Sequence, residues 1–413
     1  MEYAERLLFN SIGVLPMILQ RFATALALSG MVAFPAVSPA FAQDLDAVLA
    51  RFKAVMAEQG TTLDWQDVGN YTNTNGDEIT TLDGVTMTVN DAPVDVGTVE
   101  LGDIGETDAG YTISSVKLPS YYFNEDSFSV SANDIALEGV ILSKEGTQNV
   151  YGSALYYERA NLGEARMQVG GEDVFTLTDF HVTLSPPEEG QPMTFDGAAE
   201  AFTVALGKLE DPTTRAAATA MGYENLEGYL EMKGNWDPAS GQLSVGKFDI
   251  TGVDAGTFGL SLNIGGYTPE FVKALQQMQE QMAANPNDDN SAQGLAMLGL
   301  LQQLTLNSAR IQFSDDSLTG KVLEFVAQQQ GTQPANIANQ AKAVVPFMLM
   351  QLNNPELMQM ATAAVGSFLD NPQNISISAE PPAPVPFALI MAGAMSAPQS
   401  LPQQLGVKVT ANE

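Results

Sequence analysis

The chain of 413 residues contains no cysteine. This absence excludes disulfides, thiol nucleophiles, cysteine-ligated zinc and iron–sulfur clusters. It also excludes the lipid-modified cysteine that anchors a bacterial lipoprotein. Histidine is nearly absent, because His181 is the only one. One imidazole without thiolates cannot build a histidine-based metal centre. Its neighbours Phe180 and Val182 predict apolar surroundings, so His181 is interpreted as a structural residue.

Basic residues are also scarce. Seventeen Lys and Arg residues stand against 49 Asp and Glu residues, which gives a formal net charge of −32. A charge of this size repels phosphate backbones and anionic lipid headgroups at long range. Nucleic acid is therefore excluded as a partner. Cationic ligands and divalent metals are electrostatically allowed, but an acidic surface that keeps the protein soluble is the simpler interpretation.

Long apolar runs are confined to the N-terminus. A mostly apolar stretch from Phe22 through Phe34 follows Arg21, and Ala40-Phe41-Ala42 places small residues where signal peptidase requires them. We predict that residues 1–42 form a signal peptide, with Met17 as an alternative start. The rival interpretation is an uncleaved anchor. No apolar run of about 18 residues follows, so no transmembrane span is predicted after cleavage. The sequence thus predicts a periplasmic protein.

Alternation of apolar and polar residues dominates the stretch from Leu63 to Gly266. The alternating segments are rich in Val, Thr, Phe and Tyr and are separated by Gly, Asn and Asp. This pattern predicts antiparallel strands with one packed and one wet face. Asp237-Pro-Ala-Ser-Gly241 predicts a tight turn. A Leu-x-x-apolar step recurs in Leu82-Asp-Gly-Val85, Leu137-Glu-Gly-Val140 and Leu177-Thr-Asp-Phe180, as expected for a long sheet of similar strands.

Helical periodicity marks the two ends of the predicted mature chain. Asp44–Gln59 predicts one amphipathic helix, and from Thr268 onward the chain is predicted to be mostly helical, with strands returning to the sheet. We therefore predict an α+β fold, with a large antiparallel β-sheet and amphipathic helices segregated mainly to the C-terminal third. The predicted division is residues 1–42 as signal peptide, 43–266 as helix plus β-rich region, and 267–413 as the mainly helical region.

Sequence motifs predict no catalytic, cofactor-binding or metal-binding residue. Ser114-Ser-Val-Lys117 matches a Ser-x-x-Lys motif, but in a predicted strand its serine and lysine point to opposite faces. Carboxylates are too numerous for a catalytic pair to be chosen among them. Oxygen-rich segments such as Asn73–Glu78 lack EF-hand spacing and are interpreted as turns.

Methionine is concentrated in the predicted C-terminal helices. Flexible thioethers adapt to varied apolar shapes, so such helices suit apolar ligands or partners. Ordinary core packing is the alternative interpretation. The candidate apolar ligand face comprises Met278, Met282, Met297, Met348, Met350, Met358 and Met360.

Several strand and turn patterns carry a resemblance. The segments Trp236–Val245, Phe248-Asp-Ile250, Gly256–Leu262, Ser308–Gly320 and Asn371–Ala379 resemble uncharacterised periplasmic families of alphaproteobacteria and, more faintly, AsmA-type envelope proteins. The resemblance implies a periplasmic address and a lipid-facing sheet. It implies no catalytic residue.

Three functions remain open at this point. The first is an exported, non-enzymatic protein that binds an apolar ligand such as a lipid. The second is an envelope scaffold that binds other envelope proteins through a sheet edge or through the proline-rich segment Pro381–Pro386. The third is a hydrolase that uses paired carboxylates.

Overall fold

A computed structural model describes residues 40–41, 45–58, 61–89, 92–108, 110–125, 127–147, 154–186, 191–209, 211–284, 290–350 and 353–413. The predicted signal peptide lies outside these residues, apart from Ala40 and Phe41. The chain forms two compact units. Unit 1 comprises the residues up to Val116 together with Glu138–Glu158, and unit 2 comprises Lys117–Leu137 together with Arg159–Glu413.

The fold is α+β, with a large antiparallel sheet and helices mostly in the C-terminal part, which confirms the predicted class. The strands are β1 (Ala40–Phe41), β2 (Thr61–Asp64), β3 (Asp67–Thr72), β4 (Glu78–Val89), β5 (Ala92–Leu101), β6 (Ile104–Glu106), β7 (Gly110–Glu125), β8 (Phe128–Ser143), β9 (Leu155–Tyr156), β10 (Arg159–Val169), β11 (Glu172–Leu184), β12 (Met193–Val204), β13 (Leu226–Asp237), β14 (Gln242–Gly252), β15 (Gly256–Gly265), β16 (Thr305–Asp315), β17 (Asn374–Ala379), β18 (Val385–Pro386) and β19 (Val407–Ala411). The helices are α1 (Leu45–Glu58), α2 (Pro212–Met221), α3 (Pro269–Ala284), α4 (Asn290–Leu301), α5 (Leu318–Gln330), α6 (Pro334–Met350), α7 (Pro355–Asp370), α8 (Phe387–Ser396) and α9 (Leu401–Gln404).

Unit 1 has a closed hydrophobic core beneath α1. Val48, Phe52 and Val55 recur at helical spacing on one face of α1, and all three are buried. The strand side chains of this core include Leu82 and Leu101, which are almost fully buried. The Arg51 Nε donates a hydrogen bond of 2.6 Å to the Ser143 carbonyl, which ties the polar side of α1 to the end of β8.

The recurring Leu-x-x-apolar step marks a left-handed residue inside a strand. Gly84 and Gly139 both have φ +62°, and Asp179, at the equivalent position, has φ +50°. At Gly84 the β4–β5 register shifts between Leu82 and Val85, as in a β-bulge. A Cβ on Gly84 would lie 2.7 Å from the Gln66 side chain, and one on Gly139 would lie 2.7 Å from the side chain of Glu158. The positive φ therefore favours glycine at both positions, and an added Cβ would force the Gln66 or Glu158 side chain to move.

Unit 2 is built on a meander. Strands β10 to β16 pair antiparallel in chain order. Strand β16 then pairs with β17 and with β18, and β17 pairs with β19. The predicted turn joins β13 to β14, where Gly241 has φ +69° and the Ser240 hydroxyl donates to the Asp237 carboxylate over 2.6 Å.

The helices of unit 2 begin and end on the signals that the sequence provides. The Asn354 side chain accepts a hydrogen bond of 2.9 Å from the Leu357 amide and caps α7. Helix α5 ends at Gly331, whose φ is +63°. Among the described residues, every helix is too short or too polar to span a bilayer.

Candidate functional site

Large apolar side chains are distributed very unevenly between the two units. Of the eleven bulkiest side chains in the described residues with less than 2% exposure, ten belong to unit 1, and Met193 is the exception. Of the seventeen large apolar side chains that are exposed in this described part of the chain, all but Val68 and Tyr71 belong to unit 2. Exposed apolar surface therefore points to unit 2 as the place to look for a binding site.

The exposed large apolar side chains of β14 to β17 share one face. Residues directly opposite in neighbouring antiparallel strands project to the same side. Phe248 lies opposite Leu260, Leu260 opposite Ile311, and Ile311 opposite Ile377, which forms a row across β14, β15, β16 and β17. Ile250 and Phe258 form the adjacent row, two residues along their strands. We call this set the apolar floor: Phe248, Ile250, Phe258, Leu260, Ile311 and Ile377.

The apolar floor remains open to solvent. Its exposed fractions are 37% for Ile250, 44% for Phe258, 48% for Ile311 and 54% for Ile377. Four adjoining side chains of this size, each more than a third exposed, form a continuous apolar surface. Single exposed apolar residues need no explanation, but a continuous group of them indicates a contact surface.

Helix α7 covers the sheet next to the floor. Phe368 on α7 contacts Phe313 on β16, with ring centroids 6.4 Å apart and ring planes at 74°. This is the edge-to-face geometry that aromatic pairs prefer. Phe313 and Ile311 lie on the same face, two residues apart, yet Ile311 is half exposed. Helix α7 therefore covers the sheet at Phe313 but leaves Ile311, two residues away on the same strand, exposed.

The opposite face of the same strands is polar. Glu231 and Asp249, on neighbouring strands, flank the Lys247 ammonium, with N–O distances of 2.8 Å and 3.8 Å. The hydrogen bond that Lys247 donates to the Glu231 carboxylate raises the pKa of Lys247, and burial opposes this in part. Arg310 on the same face donates to the Ser376 hydroxyl over 3.3 Å. Lys247, Asp249 and Arg310 thus lie on the polar face, and the six side chains of the apolar floor carry no charge.

His181 lines a recess on the polar side of unit 2. The recess has a volume of about 450 Å³, and its lining includes Asp134, Arg159, Asn161 and Asp179. The expectation of apolar surroundings was wrong. Phe180 and Val182 neighbour His181 in sequence, but alternate residues of a strand point to opposite faces. His181 lies opposite Asn161 on β10 and so shares the face of that polar side chain.

The structure places the seven candidate methionines in different environments. Met278 on α3 is buried, whereas Met348 and Met350 on α6 are exposed. Met297, Met358 and Met360 are partly buried, and the side chain of Met282 lies outside the described part of the chain. Helices α6 and α7 contact each other, as do α3 and α4, so the methionines are divided between two helix pairs.

The perturbed carboxyl groups of the described residues have structural causes. The pKa of Asp211 is lowered chiefly by hydrogen bonds from Thr214, because Asp211 caps α2. The pKa of Asp237 is lowered chiefly by the Ser240 hydroxyl in the turn. Within the described ranges, no group of three or more His, Asp or Glu side chains is arranged to hold a metal ion.

Sequence reasoning identified the strands of the floor but not the floor itself. Alternation in Phe248-Asp-Ile250 and in Phe258-Gly-Leu260 indicates which side chains share a face. It does not indicate whether that face is covered.

Comparison with known proteins marks out one region of the chain but identifies no reaction or ligand. A family model described as "Uncharacterized protein" matches residues 249–412, which is about two fifths of the chain. This span includes β15 to β19, α3 to α9 and all of the floor except Phe248. No curated protein matches the chain.

Proposed function

We propose that this protein is exported and, without catalysing a reaction, holds an apolar ligand such as a lipid against the apolar floor of unit 2. The observation that carries the proposal is the group of about half-exposed isoleucine and phenylalanine side chains in two adjacent rows on β14 to β17. Covering such a surface with hydrocarbon releases about 25 cal/mol for each Å² removed from water.

The shape and chemistry of the floor favour a hydrocarbon chain. Its longer row crosses four strands at a spacing of about 4.8 Å, which gives a length of about 14 Å. Six aliphatic or aromatic side chains supply dispersion contacts, and none of them carries a charge or a strong hydrogen-bonding group. A ligand with a polar body would lose water there and gain no partner. An extended acyl chain meets both conditions.

The proposed address in the periplasm is supported by the sequence. The apolar stretch Phe22–Phe34 and the Ala40-Phe41-Ala42 pattern are typical of an exported protein. The resemblance of the turn and strand patterns to alphaproteobacterial periplasmic families and AsmA-type proteins fits the same address. A lipid in transit through the envelope is a ligand available in that compartment.

The test is native mass spectrometry with organic extraction, on protein purified from its own cells. We expect a discrete bound mass of lipid size that extraction removes. In the double variant Ile311→Thr/Ile377→Thr, threonine keeps the β-branched shape that strands favour but removes apolar surface. We expect ligand affinity to fall by about tenfold, since each side chain loses part of its apolar contact.

The matched control is Tyr229→Thr. Tyr229 and Ile250 are exposed to a similar degree. Tyr229 lies two residues from Glu231 on the same strand, so its side chain projects from the polar face. This variant should retain the ligand. A clean apo mass for the unaltered protein would overturn the proposal and favour the scaffold hypothesis. Equal loss in all variants would place the ligand elsewhere.

A further inference from the structure

A second exposed apolar surface lies on two helices of unit 2. On α6, Val344, Phe347 and Met348 share one face at i, i+3 and i+4 spacing, and Phe347 and Met348 are each 70% exposed. On α8, Leu389 and Met391 are also exposed, and Met395 is exposed by 88%. Met391 and Met395 share one face of α8 at i, i+4 spacing, whereas Leu389 projects from another side of the helix. We call the following five side chains the neutral patch: Val344, Phe347, Met348, Met391 and Met395.

A hydrogen bond joins the segments that follow α6 and α8. The Asn354 side-chain amide donates a hydrogen bond of 2.9 Å to the Gln399 carbonyl. Asn354 follows the end of α6 by four residues, and Gln399 follows Met395 by four residues. The C-terminal ends of α6 and α8 therefore belong to the same region of unit 2.

Charge is absent from the segments that carry the patch. No Asp, Glu, Lys or Arg occurs in residues 343–355 or in residues 381–407, although the whole chain has a net charge of −32. The nearest lysines are already paired with acids: Lys342 with Asp370, and Lys408 with Glu380 over 3.3 Å. The chain segments that flank the patch therefore offer no excess positive charge to an anionic partner.

We propose that the neutral patch docks the protein on the surface of a lipid bilayer whose headgroups are zwitterionic. Protruding Phe, Val and Met side chains without charged neighbours insert at the boundary between headgroups and acyl chains. A protein partner would be expected to meet a polar rim around the patch, and these segments provide no charged one. A second copy of the chain is disfavoured because both copies carry −32.

The net charge fixes the lipid preference. Most peripheral proteins bind anionic membranes through Lys and Arg, and salt weakens them. Here the acidic chain is repelled by anionic lipids, and salt screens this repulsion. We therefore expect tighter binding to phosphatidylcholine vesicles than to vesicles rich in phosphatidylglycerol. On the anionic vesicles, binding should increase when the ionic strength is raised. This inference does not depend on a ligand at the apolar floor.

The absence of cysteine makes a local test direct, because an introduced cysteine is the only thiol in the chain. Phe347→Cys and Met395→Cys, each labelled with an environment-sensitive fluorophore in the full chain, report insertion at the patch itself. The control is Tyr122→Cys, at a residue 66% exposed on β7. We expect blue-shifted, brighter emission on phosphatidylcholine vesicles from the labels at 347 and 395, and no change at 122.

Further measurements keep the proposal open to refutation. In vesicle sedimentation, the triple variant Phe347→Ser/Met348→Ser/Met395→Ser should bind about tenfold or more weakly, because it loses three inserting side chains. Unchanged emission at 347 and 395 with vesicles present would overturn the proposal. A label already shielded before vesicles are added would also overturn it, and would indicate a cover from this chain. A shift that follows protein concentration alone would show a second copy on the patch.

Discussion

The strands of both units alternate apolar and polar residues, but their apolar side chains differ in exposure to solvent. In unit 1, apolar strand residues such as Leu82 and Leu142 are almost completely buried, with α1 packed over their core. In unit 2, the equivalent alternation leaves Ile311 and Ile377 about half exposed, although helices are more numerous there. Apolar alternation alone therefore does not make a core. Coverage decides whether an apolar face stabilises the fold or remains available for binding.

The largest expected difference between the units is in the free energy of unfolding that is lost when an apolar side chain is truncated. Leu82→Ala creates a cavity in unit 1, and we expect the free energy of unfolding to fall by about 2–5 kcal/mol. Ile377→Ala removes a side chain that is already 54% exposed. We expect it to cost below about 1 kcal/mol. Urea unfolding, followed separately by probes in each unit, measures both values.

An equal loss of unfolding free energy in Leu82→Ala and Ile377→Ala would contradict the difference between the units. It would mean that Ile377 is covered in solution as completely as Leu82. If ligand-bound protein gave equal costs and extracted protein did not, the apolar floor would be the covered surface.

Replacing a glycine by alanine in each unit is expected to give the next largest difference in stability. Gly84→Ala forces a Cβ onto a residue with φ +62° and to within 2.7 Å of the Gln66 side chain. We expect a loss of about 1–3 kcal/mol from the strained conformation. Gly246→Ala in unit 2 is the matched change, because the nearest atom to its Cβ would be 3.8 Å away. This variant should be close to neutral, and thermal unfolding would show it. A neutral Gly84→Ala would refute the left-handed strand position.

The same glycine shows what sequence reasoning reached and where it stopped. The repeated Leu-x-x-apolar step was visible, but the left-handed backbone beneath it at Gly84 was not. Strands rich in Val, Thr and Phe, such as β14 and β15, show the alternation by which the sequence predicts strands. Strands β10 and β12 were missed because they contain Ala, Gly and Glu, which have low strand propensity. Their buried residues Ala160 and Ala199 fit where neighbouring side chains leave little room.

Helix α2 was missed for a different reason. Asp211 caps it, Pro212 opens it and Gly222 ends it, so the local signals are present. Its Thr- and Ala-rich sequence lacks the apolar stripe that identifies a surface helix. It also interrupts a region in which every neighbouring segment alternates with a period of two.

The candidate site depended on tertiary facts that no local pattern contains. The sequence grouped Met278 with Met348, yet one is buried and the other is 70% exposed. Both methionines lie in apolar helices, and their difference in exposure comes only from the position of each helix on the sheet. The apolar floor was likewise predictable as one face of a sheet. Its exposure depends on where α7 ends its contact with Phe313.

The smallest expected difference concerns two turns, one in each unit. In unit 1, the Asn73 amide oxygen accepts a hydrogen bond of 3.0 Å from the Asp77 backbone N–H. In unit 2, the Asp237 carboxylate accepts the Ser240 hydroxyl at 2.6 Å, and this bond lowers the pKa of Asp237 below its ordinary value of 3.8. In both turns the first side chain accepts a hydrogen bond from within the turn, and acid protonates the Asp237 carboxylate but not the Asn73 amide. The Asp77 carboxylate also accepts a hydrogen bond in the unit 1 turn, from the Asn73 side-chain amide over 2.8 Å.

Acid should therefore weaken the unit 2 turn at Asp237. Because the folded pKa of Asp237 is below the unfolded one, its stabilisation is complete above the unfolded pKa and is lost as the pH falls through the folded pKa. Most of this carboxylate is solvated, so the contribution should be below about 1 kcal/mol. Asp237→Asn should lower stability at neutral pH, and the difference from the unaltered protein should vanish in acid. Unfolding of both proteins between about pH 7 and about pH 3 measures this. A difference that persists unchanged at the acid end would mean that the carboxylate stabilises the turn by its shape and not by its charge.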